Sequence, residues 1–138
     1  MHIQWSEFIL PAEKATITWM RVTLSNRGII SLNRAAYRAM AQPERVVLLF
    51  DPVNYLIGLR PAGSNVKHAM RIRLRRETNA NYRICAKNFC NYYQIRLKHS
   101  LKFNDILTQD DGTLILDLRT TTEIARAKSG SQMQLSLR

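Results

Sequence analysis

The chain repeats itself, and the repeat limits what it can fold into more than any other feature. MRVTL at residues 20–24 returns fifty positions later as MRIRL at 70–74. The next stretch, GIISLNRAAYRAM at 28–40, parallels 80–92, aligning Ile30 with Tyr82, Leu32 with Ile84, Tyr37 with Phe89 and Met40 with Tyr92. LLFDPVNYLIGLRP at 48–61 then parallels TQDDGTLILDLRT at 108–120 through a turn and the endings IGLR and LDLR. The spacing widens from 52 to 59 between the last two segments, so the second copy carries a loop insertion before its hairpin.

Each copy reads as strand, strand, short helix, hairpin. Apolar and β-branched residues at spacing two predict strands at 20–24, 29–32, 70–74 and 82–85. Asn33 before Ala35, Ala36, Arg38, Ala39 and Met40 is a helix N-cap, and Pro43 marks the stop. Asp51-Pro52-Val53-Asn54 and Asp110-Asp111-Gly112-Thr113 are turns between hairpin strands. A unit of about 45 residues buries its own apolar face poorly, whereas two packed together bury it well. The expected fold is therefore α+β, with two tandem β-β-α-β-β units at 20–62 and 70–120 joined by a linker at 63–69. Residues 1–19 form an N-terminal extension able to pack as an added strand or to dock a partner, and 121–138 a polar tail expected to be mobile.

Charge is distributed unequally over this repeat. Residues 67–102 hold ten Lys or Arg and one acid, a net of +9 out of +11 for the whole chain. In MRIRLRRE at 70–77, Arg71, Arg73 and Arg75 alternate with Met70, Ile72 and Leu74, so a strand here has one apolar face and one guanidinium face. Lys67, Arg76, Arg83, Lys87, Arg96, Lys98 and Lys102 complete this basic segment, interleaved with Tyr82, Phe89, Tyr92 and Tyr93. Such a surplus points to a polyanionic partner, nucleic acid ahead of a membrane surface.

Other classes find little support. VVLLF at 46–50 is far short of the roughly 20 apolar residues that span a bilayer, and no secretory leader opens the chain, so a cytoplasmic location is expected. Cys85 and Cys90, five apart in one helix, diverge and read as small apolar residues. His2, His68 and His99 lack metal-ligand spacing, and no phosphate-binding glycine loop or nucleophile elbow occurs, so neither a cofactor nor an enzymatic activity is expected.

The segment RGIISLNRAAYRAMAQ, 27–42, resembles the core of the AbrB/MraZ/SpoVT superfamily of swapped-hairpin DNA-binding proteins. Gly28, Ile30, Leu32, Ala36 and Met40 fall on that motif's glycine and apolar positions. Asn33 stands where the family has Pro, Tyr37 where it has Arg, and Ala41 where it has Gly. The resemblance implies a pseudo-twofold swapped-hairpin β-barrel with the short helices outside. It also implies a DNA-binding transcriptional regulator that uses basic residues on the first strands and the loop after them: Arg21 and Arg27, with Arg71, Arg73, Arg75 and Arg76. Lys67 and the helix-start residues Arg34 and Lys87 join this set. DNA is favoured over RNA as partner. A protein-interaction module or self-association, and a single-strand or RNA binder that stacks bases on exposed tyrosines, are the competing expectations.

Overall fold

Val22, Leu24, Ile30, Leu32 and Ile84 are all 1% exposed or less, while the residues between them, Thr23, Ser31 and Arg83, stay partly open. That alternation is the period of a strand with one face in the core, and it organises the molecule. The computed structural model describes residues 20–75 and 81–124. The first unit runs β1 (Val22–Leu24), β2 (Ile29–Leu32), α1 (Arg34–Ala39), β3 (Arg45–Asp51) and β4 (Leu56–Ala62). The second runs β5 (Met70–Arg71), β6 (Arg73–Arg75), β7 (Asn81–Cys85), α2 (Lys87–Tyr92), β8 (Ser100–Phe103), β9 (Ile106–Thr108) and β10 (Leu114–Asp117), and β11 (Thr121–Ile124) follows.

These strands form two antiparallel sheets, one ordered β11-β8-β1-β2-β7-β6 and the other β5-β3-β4-β10-β9. Equivalent strands of the two copies lie side by side. β2 pairs with β7 through Ile30–Ile84 and Leu32–Tyr82, and β4 pairs with β10 through Ile57–Leu116. The inward residues of both sheets meet in one apolar cluster that includes Val22, Leu32, Val46, Ile57, Ile84, Phe103, Leu114 and Leu116. Burying side chains of this size contributes about 1.5–3 kcal/mol each, so the cluster is the main source of stability.

The expected α+β swapped-hairpin barrel is not what forms. The molecule is mostly antiparallel sheet, both sheets are open, and the helices have only six residues each. The insertion in the second copy supplies the reason. Its β8 pairs along β1, Thr23 opposite Lys102, and so occupies an edge that closure into a barrel would need. β11 extends the sheet beyond β8, which places Thr121–Ile124, assigned from the sequence to the tail, in a strand. Residues 70–75 turn a corner: Met70 and Arg71 pair with β3 in one sheet, and Arg73–Arg75 pair with β7 in the other. Between them, the Ile72 N–H donates to the Glu44 carbonyl at 3.1 Å.

The cysteine expectation also needs correction, because the two are not in one helix. Cys85 ends β7 and is exposed, and only Cys90 is buried in α2. Among the described residues, no helix is long and apolar enough to cross a membrane. The N-terminal extension and most of the tail lie outside the described residues.

A six-residue helix is unstable alone and depends on its ends and its packing. The Asn33 side-chain oxygen caps α1 by accepting the Ala36 N–H at 3.0 Å, and it also accepts the Arg21 N–H at 3.0 Å, tying the helix to the start of β1. Ala36 is buried, and the Tyr37 ring stacks on inward-facing Tyr82 with centroids 4.0 Å apart. Burial raises the Tyr37 hydroxyl above its usual pKa, and that hydroxyl donates to the Pro43 carbonyl at 2.7 Å. Asn33→Ala is expected to cost about 1–2 kcal/mol, read as a lower chemical-denaturation midpoint with unchanged slope.

Candidate nucleic-acid interface

Strand registers determine which residues share the outer face of the six-stranded sheet. Because Tyr82, Leu32 and Val22 face the core, their neighbours Arg83, Ser31 and Thr23 point outward, and Arg73, directly opposite Arg83, shares their face. The same row continues through Lys102 to Thr122. One line across the sheet therefore reads Arg73, Arg83, Ser31, Thr23, Lys102, Thr122. At about 4.8 Å per strand, Arg73 and Lys102 are separated by about 19 Å. Among the described residues, no outward position of the six strands is acidic.

Like charges oppose each other twice along the corner strand. Arg73 is the direct cross-strand partner of Arg83, and Arg71 that of Arg45. Such pairs destabilise a sheet by tenths of a kcal/mol up to about 1 kcal/mol. The Nε atoms of Arg83 and Arg45 are buried without a hydrogen-bond partner, a further cost. Three carboxylates are held at turns of the five-stranded sheet. Asp51 accepts the Val53 and Asn54 N–H groups, Asp111 accepts the Thr113 N–H, and Asp117 pairs with Arg119 at 3.3 Å. These hydrogen bonds hold all three carboxyls below their ordinary pKa, led by the side chains of Asn54, Thr113 and Arg119 respectively.

The sequence-derived candidates separate into several places. Arg73 and Arg75 are exposed on β6, and Arg21 is exposed immediately before β1. Arg71 belongs to the edge of the other sheet. Arg27 and Lys87 line a separate cleft. Exposed Arg34 opens α1, and exposed Lys67 lies in the linker, both outside the row. Arg76 lies outside the described residues. Arg83 and Lys102 are in the row and were not among the candidates. Arg83 was detectable, because Tyr82-Arg83-Ile84 repeats the alternation of MRIRL, whereas Lys102 sits in the insertion, which has no counterpart from which to infer its pairing.

The tyrosines take a different surface. Tyr92 is 79% and Tyr93 40% exposed, and they pack edge to face. Tyr93 also contacts Phe50 of the five-stranded sheet and Phe89 of α2. That sheet's outward positions include apolar Leu49, Leu107 and Ile115, with Leu107 62% exposed.

Compared with known proteins, the chain matches no family model, no curated protein and no solved structure.

Proposed function

We propose that this protein binds nucleic acid, duplex DNA ahead of RNA, in the manner of a transcriptional regulator, laying the phosphate backbone across the outer face of the six-stranded sheet. The observation that carries this reading is the row Arg73, Arg83 and Lys102, with hydroxyl groups between the cations and no acid on the described face. Guanidinium and ammonium groups neutralise phosphates and release condensed counterions, while serine and threonine hydroxyls donate to phosphate oxygens. A polyanion across the row also relieves the Arg73–Arg83 opposition, so binding and sheet stability are coupled. The AbrB-like pattern in residues 27–42 favours the same class of partner without requiring the barrel.

Two features favour other occupants. Exposed Tyr92 and Tyr93 suit base stacking on a single strand, although Tyr93 packs on Phe50 of the five-stranded sheet and not on the row. The apolar outer face of that second sheet suits a protein partner.

One titration separates these readings: duplex DNA, single-stranded DNA and RNA of matched sequence, each at two salt concentrations. The expected result is tightest binding to duplex, weakening steeply with salt. Tighter binding of a single strand, insensitive to changes in the row, would transfer the site to the tyrosines. No binding to any of the three at low salt would leave protein interaction as the function.

A further inference from the structure

A second basic site lies where the two copies of the repeat touch. The β1–β2 turn, the start of α2 and the segment 95–97 enclose a cleft of about 430 Å³, within the size range of small-ligand pockets. Its exposed wall carries Arg27, Lys87 and Arg96, and among the described residues its lining includes no acid. Its floor is apolar, formed by buried Leu24 and Cys90 with partly buried Ile95 and Leu97. Ser25, Asn26 and Asn91 add neutral polar groups.

The walls are fixed by hydrogen bonds. The Ser25 hydroxyl oxygen accepts the N–H groups of Arg27 and Ile29 at 3.2 and 3.1 Å, closing the turn. The Gly28 carbonyl accepts the Ala86 N–H at 2.7 Å, joining the turn to the residue before α2. The Asn26 side-chain amide donates to the Lys98 carbonyl at 3.2 Å, joining the turn to the third wall. Three cations at the mouth and an apolar floor are complementary to a molecule with a concentrated negative charge at one end and a flat apolar body at the other.

We propose that this cleft binds a phosphate monoester that carries an aromatic base, of mononucleotide size. The phosphate lies among Arg27, Lys87 and Arg96, and the ring rests on Leu24, Ile95 and Leu97. The same chemistry is offered by a free nucleotide and by the 5′-phosphorylated end of a nucleic acid. The site is independent of the basic row on the sheet.

The test uses the full chain, amide chemical-shift mapping and calorimetry. Adenosine 5′-monophosphate is expected to shift the amides of residues 25–28, 91 and 95–97, and to bind at least tenfold more tightly than adenosine or inorganic phosphate. Arg27→Gln, Lys87→Gln and Arg96→Gln together, all exposed positions, should weaken it at least tenfold. A variant altered at Arg73, Arg83 and Lys102 should bind it as the parent does. A 5′-phosphorylated dinucleotide that binds tenfold better than the mononucleotide, with the 5′-hydroxyl form weak, would identify the source as a nucleic-acid end; equal or weaker binding would identify free nucleotide. The proposal is overturned if none of the phosphorylated probes moves those amides. It is equally overturned if adenosine or inorganic phosphate binds as well as the monophosphate, or if the Gln variant binds unchanged.

Discussion

Replacing Arg73 with Thr, Arg83 with Ser and Lys102 with Gln is expected to lower duplex affinity by about 500-fold at 0.1 M salt and to reduce the salt slope by about 2.7, since each phosphate left without its cation lowers that slope by about 0.9. Thr and Ser are the residues that the first copy places at the equivalent outward positions, Thr23 and Ser31. The folded state should not suffer. Removing the Arg73–Arg83 opposition is expected to stabilise the free protein by about 0.2–1 kcal/mol. Loss of binding together with an equal or higher melting temperature is the signature of a face that gives up stability for recognition. An unchanged affinity and salt slope would eliminate the row as the interface.

Gly28→Ala is expected to be the most damaging single substitution at the contact between the copies. Gly28 has φ +85°, where a residue with a Cβ loses about 1–2 kcal/mol. The added Cβ would stand 2.8 Å from the Lys87 Cα and 3.1 Å from its backbone nitrogen. Neither atom can move freely, because the Gly28–Ala86 hydrogen bond and the adjoining β2–β7 ladder fix the two backbones. A loss of about 3 kcal/mol follows from the two effects together, lowering the melting temperature by about 10 °C. Gly63→Ala is the control. Its φ is not positive, and its added Cβ would meet only the tip of the Asn65 side chain, so a change within about 0.5 kcal/mol is expected. Equal melting temperatures for the two variants would mean that the turn can re-close without the glycine.

Local structure was legible where one physical signal dominated. The strand Ile29–Leu32, the Asn33 cap and the Asp-Gly turn follow from alternation, capping chemistry and turn chemistry, each contained within a few residues. The 52-residue spacing of Ile30 with Tyr82 and Leu32 with Ile84 reappears as two cross-strand pairs, Ile30–Ile84 and Leu32–Tyr82. Sheet closure was not legible, because it depends on whether an edge is free. The insertion that supplies β8 gives no sign in its own sequence that it will pair with β1. The helices show a similar limit. Asn33 and Ala86 occupy equivalent caps 53 residues apart, so Tyr37 corresponds in the structure to Cys90 and not to Phe89. The candidate site was partly visible for a related reason: alternation in MRIRL identifies an outward face, but only the register identifies Arg83 and Lys102 as its neighbours.

Equivalent outward positions in the two copies carry hydroxyls in one, Thr23 and Ser31, and guanidinium groups in the other, Arg73 and Arg83. A homodimer of one such unit would present the same chemistry at both ends and would suit a palindromic ligand. This chain has a head and a foot. Anything lying across the sheet along that row meets a pair of guanidinium groups at one end and a single ammonium group among hydroxyls at the other, so its two orientations differ in energy. The repeat, by letting its two copies diverge in charge within a single chain, gives a nearly symmetric scaffold a sense of direction.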